Sequence, residues 1–142
     1  MHYTLNAVDR HHQVNLTESA PVTLLPKRCV CGKPAFAKQL AQYGVCIACQ
    51  LAARIASLQP EDLVNLKFML GVKQSPRAQW GNRNVYLCNR RDLPSMTRLV
   101  TAGFVRAGEQ VLQLRYFHAT AAGCKLAGLN ATALRRALGD RP

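Results

Sequence analysis

Acidic residues are scarce in this sequence. Seven Asp and Glu stand against nineteen Lys and Arg, and they offer no paired carboxylates for general acid–base chemistry. The chain also lacks a Ser/His/Asp set and a glycine-rich phosphate loop. These absences exclude the common catalytic arrangements, so the sequence predicts a protein that is not an enzyme.

Long apolar runs are absent as well. No segment reaches the roughly 18 apolar residues needed to cross a bilayer, and residues 1–6 lack the basic start of a secretory signal. Hydrophobic residues nevertheless make up 49% of the chain, which is enough to bury a core. Six cysteines without an export signal predict a reducing compartment, where thiols bind metal more often than they form disulfides. We therefore expect a cytoplasmic protein without membrane contact.

Positive charge is abundant. The formal net charge is +12, Arg accounts for 13 of the 19 cations, and residues 27–60 contain no acid. An excess of this size favours a polyanionic partner such as nucleic acid, or an acidic protein surface. Arginine is preferred where planar contact to phosphate or carboxylate is needed, which supports a partner. Charge that serves solubility alone is the alternative.

Four cysteines form two close pairs, Cys29-x-Cys31 and Cys46-x-x-Cys49, separated by fourteen residues. Each pair can supply two thiolates from one turn, and the segment between them can fold back to complete a tetrahedral site. Because four thiolates fill the coordination sphere, we expect one structural Zn²⁺ ion. Four buried structural thiols or a redox pair are the alternatives.

The surrounding residues extend this pattern. Gly32 lets the backbone turn beneath the metal, and the second cysteine pair lies at the start of a helix predicted over 48–58. A knuckle, a hairpin and a helix that carries the second pair would form a treble-clef arrangement. The segments Cys31-Gly32-Lys33-Pro34 and Cys46-Ile47-Ala48-Cys49-Gln50 resemble the zinc finger of the TraR/DksA-type regulators, which act on RNA polymerase. The resemblance covers about residues 29–54 and implies the zinc geometry.

Periodic apolar residues predict further helices. One begins at Pro60 and ends at Gly71, and another over 93–102 is capped by Asp92 and ended by Gly103. The side chains expected to face the core from these helices and from the helix over 48–58 are Leu51, Ile55, Leu58, Leu63, Leu66, Met69, Leu70, Leu93, Met96, Leu99 and Val100.

Strand and cap signals fill the remainder. Residues 83–89 are typical of a strand, and residues 104–106 and 111–119 are expected to pair as a hairpin around 107–110. Two short C-terminal helices are expected to begin at the caps Thr120 and Asn130, the last of them with Leu134 and Leu138 facing inward.

Residues 99–105 (LVTAGFV) and 116–123 (YFHATAAG) resemble the helix, wing hairpin and closing helix of winged-helix regulators. Small phage and prophage proteins carry a strand similar to residues 83–86 (RNVY) before this stretch. In such folds the helix before the hairpin enters the major groove and the hairpin approaches the backbone. The resemblance implies that the residues facing DNA are Arg91, Ser95, Thr97 and Arg98, with Arg106 and Arg115 beside the wing. A wing-like module used for protein contact is the alternative.

The predicted fold class is α+β, with a treble-clef-like zinc module followed by a winged-helix-like α/β unit. The expected divisions are an N-terminal arm over 1–28, the zinc module with its helix over 29–58, and the winged-helix-like domain over 59–142. Trp80 lies among arginines, so it is a candidate for stacking on a nucleic-acid base, with core packing as the alternative.

The sequence thus predicts a small zinc-stabilised DNA-binding regulator of phage or mobile-element origin. The arginines expected to hold DNA are Arg77, Arg83, Arg90, Arg91 and Arg98. The alternative is a protein-binding effector that docks on an acidic face of a host nucleic-acid machine, such as RNA polymerase or an anti-phage defence complex.

Overall fold

The computed structural model of the protein describes residues 27–139. The predicted N-terminal arm lies outside the described residues, apart from its last two. Within residues 27–139 the chain forms six α-helices, five strands and one 3-10 turn. In chain order these are β1 (Lys27–Arg28), β2 (Pro34–Ala35), α1 (Ala37–Tyr43), α2 (Ile47–Ala56), α3 (Pro60–Met69), the 3-10 turn (Arg77–Gln79), β3 (Tyr86–Cys88), α4 (Leu93–Thr101), β4 (Val105–Val111), β5 (Leu114–Ala119), α5 (Ala121–Leu126) and α6 (Ala131–Leu138).

Three of the strands form one antiparallel sheet in the order β3-β5-β4. Tyr86 of β3 lies opposite Phe117 of β5, and Val105 of β4 lies opposite Ala119. Strands β1 and β2 form a separate two-stranded ribbon. Helices and antiparallel strands are mixed along the chain, so the α+β prediction is confirmed.

The main core is built on helices α3 and α4 and the three-stranded sheet. Leu66 and Met69 of α3 and Met96 and Leu99 of α4 are fully buried, as predicted. Phe104, which follows α4, is fully buried as well. Burial of one such side chain contributes about 1.5–3 kcal/mol, so these contacts hold the C-terminal part of the chain together.

Capping residues set several helix boundaries. The Thr120 hydroxyl accepts a hydrogen bond from the amide three residues later at 3.2 Å, and the Asn130 side chain does the same at 2.9 Å. Both predicted N-caps are therefore confirmed. Asp92 also occupies the N-cap position of α4, but its carboxylate caps no amide there and instead accepts a hydrogen bond from Tyr86 Oη at 2.8 Å.

Helix α4 ends as the sequence predicts. Gly103 adopts the left-handed conformation, with φ +73°, which glycine enters without steric cost. The Phe104 amide donates to the Leu99 carbonyl at 2.9 Å, and the buried Phe104 ring supplies the apolar contact that accompanies this type of helix stop.

The hairpin turn lies four residues further along than predicted. Strand β4 continues through Val111, and the turn is formed by Leu112 and Gln113. The prediction of a turn at 107–110 is wrong because Gly108 lies within strand β4, at a shift in the strand register. The strand register shifts between Ala107 and Gln110, and a Cβ on Gly108 would lie 3.0 Å from the His118 ring. Gly108 therefore provides space at an irregularity in the strand.

Leu112 in this turn is strained. It has φ +56° and is 90% exposed, so it bears the cost of a left-handed backbone without burying its side chain. Leu112→Gly is expected to raise the free energy of unfolding by about 1 kcal/mol in urea titrations. Leu114→Gly is the control, because Leu114 lies in β5 outside the left-handed region and its replacement should destabilise. Equal changes in the unfolding free energy for the two variants would contradict the inference that Leu112 is strained.

Several side chains predicted to face the core do not. Leu51, Ile55, Leu93, Val100 and Leu138 are 36–45% exposed, so these predictions are wrong. An apolar helix face is buried only where another element covers it, and periodicity cannot show which elements are neighbours. Among residues 27–139, no helix combines the length and apolar character required of a membrane span.

Candidate metal centre and basic surface

The four predicted cysteine ligands converge. Their Sγ atoms all lie within 4.8 Å of one another. The Sγ atoms of Cys29 and Cys49 are 3.8 Å apart, and those of Cys31 and Cys46 are 3.6 Å apart. A tetrahedron with metal–sulfur bonds of about 2.3 Å has edges of about 3.8 Å. The four cysteines are free thiols, and their spacing fits a metal ion at the centre.

Local backbone structure positions each pair. The first pair lies in the turn of the β1–β2 ribbon, where the Cys29 amide donates to the Lys33 carbonyl at 2.9 Å. Gly32, with φ +80°, allows this turn, as the sequence predicts. Cys46 is the N-cap of α2 and Cys49 lies in its first turn, so the placement of the second pair is confirmed.

The segment between the pairs differs from the prediction. Helix α1 (Ala37–Tyr43) takes the place of the hairpin expected in a treble clef. Its residues Ala, Lys, Gln and Leu favour a helix, and Gly44 ends it in the left-handed conformation. The knuckle and the following helix are as predicted, and a helix instead of a hairpin brings the chain back to the metal site.

Backbone amides stabilise negative charge on the sulfurs. Hydrogen bonds from the amides of Cys31 and Cys46 lower the pKa of Cys29 to about 6, and the Cys46 N–H lies 3.3 Å from Cys29 Sγ. The Cys49 amide likewise lowers the pKa of Cys46. Hydrogen bonding of the Cys49 thiol to the sulfurs of Cys31, Cys46 and Cys29 favours its protonated form and raises the pKa of Cys49 to about 12. A cation at the centre of the four sulfurs can displace the proton that Cys49 retains, so the four thiols suit a metal ion.

One arginine links this module to the main core. Arg54 of α2 donates to the Ala102 carbonyl at 2.5 Å, and its guanidinium lies 4.8 Å from the centre of the Phe104 ring. A Cβ on Gly103 would lie 2.7 Å from Arg54 Nη2, so this glycine also leaves room for the guanidinium. Local sequence patterns could not predict this contact, because its partners are 48 residues apart.

Two residues predicted to face DNA instead face helix α3. Arg98 donates through Nε and Nη2 to the two carboxylate oxygens of Asp62 at 2.9 and 2.8 Å, and Nη2 also reaches Glu61. Ser95 is 3% exposed and accepts a hydrogen bond from Asn65 at 3.0 Å. The buried Ser95 hydroxyl is not accessible to DNA, so that predicted contact is corrected. The Arg98 guanidinium is 32% exposed but already paired with two carboxylates.

Trp80 is held in the fold as well. Its ring is partly buried against the main core, and its Nε1 donates to the Ser75 carbonyl at 3.0 Å. The guanidinium of Arg77 lies 5.7 Å from the ring centre. Of the two interpretations of Trp80, the structure therefore favours core packing over stacking on a base.

The other predicted contact residues lie at the surface. Seven side chains of the set are exposed, namely Arg77, Arg83, Arg90, Arg91, Thr97, Arg106 and Arg115. Arg83 is partly engaged, since it donates to the Phe68 carbonyl at 2.6 Å and its guanidinium lies 4.8 Å from the Phe68 ring centre. Arg136, which sequence reasoning missed, donates to the carbonyls of Ala78 and Trp80 and so fixes the loop before β3.

Two surface depressions were not foreseen. A cavity of about 210 Å³ lies between the end of β3, the start of α4 and the β4–β5 hairpin, and it contains both Arg90 and Arg115. A groove of about 370 Å³ follows the outer side of α3 and is mostly apolar. No signal in the sequence could have found either one, because both depend on how separate elements pack.

Comparison with known proteins adds no relative. No family model matches the chain, and neither a curated protein nor a solved structure matches it. The resemblances to TraR/DksA-type and winged-helix regulators therefore stay predictions. The geometry itself establishes a four-cysteine cluster that can hold a metal ion, within an α+β fold that carries a basic surface.

Proposed function

We propose that the four cysteines hold one structural zinc ion. Two observations support zinc: all four donors are sulfur, and their spacing fits a tetrahedron. Four protein ligands leave no position for water or substrate, so the role of the ion is to fold the module and not to catalyse.

We infer that the zinc-stabilised protein is a DNA-binding regulator that holds DNA mainly by its phosphates. The observation that carries this inference is uncompensated positive charge. Residues 27–139 contain 17 Lys and Arg against four Asp and Glu. Within that range, the ion pairs all belong to Arg98, so the exposed arginines have no carboxylate partner. Such a surface attracts a polyanion.

The order of elements supports presentation of a helix and a hairpin to DNA. Helix α4, the β4–β5 hairpin and helix α5 follow one another as the winged-helix resemblance implies. The exposed face of α4 carries Leu93, Thr97, Val100 and Thr101, and none of these is charged. Only the two threonines can hydrogen bond to base edges, so phosphate contacts dominate the proposed affinity and sequence preference is weak.

DNA binding is expected to weaken steeply with salt. If five exposed arginines each neutralise one phosphate, the slope of log K against log[salt] is about −4 to −5. The five are Arg77, Arg90, Arg91, Arg106 and Arg115. Arg91→Gln should reduce the slope by about one. Thr97→Val, which removes a hydroxyl without changing charge, is the control and should keep the slope. Failure to retard any duplex at ~50 mM salt would refute the proposal.

A second candidate function, docking on an acidic protein surface, is favoured by the groove on α3. Leu63, Val64 and Phe68 line this groove, and Lys67 and Lys73 lie beside them. Val64 is 65% exposed and Phe68 is 47% exposed. An apolar groove with neighbouring cations is complementary to a partner segment that carries apolar side chains between carboxylates.

Recovery of a partner from nuclease-treated host lysate tests this second candidate. Wild type is expected to retain one stoichiometric protein partner that Val64→Asp loses, because the new carboxylate repels the partner's acidic residues. Leu112→Asp, at an exposed apolar position on the hairpin turn outside the groove, is the control and should retain it. Equal recovery by wild type and Val64→Asp would remove this candidate.

A further inference from the structure

We propose that the cavity between the end of β3 and the β4–β5 hairpin is a phosphate-binding site, with Arg90 and Arg115 as its charged groups. The ligand is one phosphate oxyanion. In the cell its source is a phosphodiester of DNA, and to that extent the inference rests on the proposed DNA-binding function.

Arg115 is placed in the cavity by the sheet. It lies on the central strand β5, opposite Cys88 of β3 and opposite Gln110 of β4. Cross-strand partners share one face of a sheet, so these three residues line the same wall. Gln110 Oε1 accepts a hydrogen bond from Arg115 Nη2 at 3.3 Å, which orients the guanidinium. Gln110 in turn donates to the Leu112 carbonyl at 3.2 Å, so the turn supports the arrangement.

Arg90 lines the same cavity from the segment that follows β3. It follows β3 in a turn that Asn89 holds, because Asn89 Oδ1 accepts hydrogen bonds from the amides of Arg91 and Asp92 at 2.9 and 3.0 Å. Arg90 has no ion-pair partner among residues 27–139. The charge of Arg90 is therefore available to a ligand. Its backbone is held in place by the hydrogen bonds to Asn89.

The cavity carries two positive charges and no negative one. Neither Asp92 nor Glu109 lines it, and the Asp92 carboxylate is hydrogen bonded to Tyr86. Gln113 adds a side-chain amide that can donate to an anion. Guanidinium groups bind phosphate through two parallel N–H donors, so two of them with amides beside them form a suitable clamp.

The size of the cavity limits the ligand. Its volume of about 210 Å³ lies below the roughly 300–1,000 Å³ typical of sites for cofactors and drug-sized molecules. A phosphate group with part of an attached sugar fits such a space better than a whole dinucleotide cofactor. The site therefore anchors one point of a nucleic-acid backbone and does not read a base.

The test is a titration of the ¹⁵N-labelled full chain with two probes, inorganic phosphate and a short DNA duplex. The side-chain amides of Gln110 and Gln113 are expected to shift with the duplex in a saturable manner. Arg90→Gln and Arg115→Gln should abolish these shifts, and each should reduce the salt slope of DNA binding by about one. Both arginines are exposed, so neither change should disturb the fold. Unchanged amide resonances outside the cavity verify that the two variants are folded. Arg135→Gln, an exposed arginine on α6, is the matched control and should keep the cavity shifts.

The outcomes separate this site from the general proposal. In one outcome the duplex binds, the resonances of Gln110 and Gln113 do not shift, and the Arg90 and Arg115 variants behave like Arg135→Gln. That outcome refutes the site and leaves the DNA-binding proposal standing. If the duplex does not bind but inorganic phosphate shifts the amides in an Arg115-dependent manner, the site stands with a free phosphate as its ligand, and DNA binding falls. If neither probe shifts the amides, the site is refuted.

Discussion

Removal of zinc is expected to unfold residues 27–56. The segment has little core of its own, because its buried apolar residues are Cys29, Ala35 and Cys46, and two of these belong to the four-cysteine cluster. A module of this size needs a metal or a disulfide for stability. Zinc held by four thiolates contributes on the order of 10 kcal/mol to folding, so its loss should exceed what the segment can compensate.

Chelation and one substitution measure this effect. The native protein should contain one zinc per chain, and excess chelator should release it with loss of the far-ultraviolet circular dichroism of α1 and α2. Cys49→Ser should bind no zinc tightly. Cys88→Ala is the control, since Cys88 is buried in the main core and lies outside the cluster. Full helical content in metal-free protein would contradict a structural role.

Loss of Arg98 is expected to lower the free energy of unfolding strongly, because its partner Asp62 is buried. Asp62 is fully buried, and Arg98 donates to both of its carboxylate oxygens. Arg98→Ala therefore leaves a buried carboxylate without its cation, which is among the most destabilising single changes. Urea unfolding measures the loss. Arg91→Ala, an exposed neighbour of the same type, should stay within about 0.5 kcal/mol of wild type.

The Asp62–Arg98 ion pair is expected to make the free energy of unfolding depend on pH. Burial by itself raises the pKa of Asp62, but hydrogen bonds from Arg98, Ser95 and the Gln59 amide outweigh it, so the pKa lies below its ordinary value. A depressed folded-state pKa means that the stabilisation is present above the unfolded-state value of about 4 and is lost as the pH falls below it. The difference between wild type and Arg98→Ala should therefore shrink in acid. A difference that does not change between pH 7 and pH 3 would contradict this assignment.

The parts of the fold that sequence could predict are those set by nearby residues. The cysteine cluster was predictable because two pairs at this spacing restrict the chain to few arrangements around one ion. The caps Thr120 and Asn130 and the helix stop at Gly103 were predictable because each depends on hydrogen bonds spanning at most five residues.

The wrong predictions share a different cause. Arg98 was expected to face DNA because of the winged-helix resemblance, and its partner Asp62 could not be foreseen because it lies 36 residues away. The exposed faces of α2 and α4 depend on which elements cover them, and that is decided by tertiary packing. Gly108 was mistaken for a turn residue because glycine in a sequence marks either a bend or a close approach, and only neighbouring atoms distinguish the two.

The Arg54 contact has a thermodynamic consequence. Arg54 shares helix α2 with Cys49 of the four-cysteine cluster, and it donates to the Ala102 carbonyl at the end of α4 and lies over the Phe104 ring. The four-cysteine cluster and the α4–β4 junction are therefore in structural contact through one side chain. If a ligand at that junction binds the metal-loaded protein more tightly than the metal-free protein, linkage requires that the ligand tighten metal binding by the same factor. Arg54 is thus the contact through which the cysteine cluster and the α4–β4 junction could influence each other.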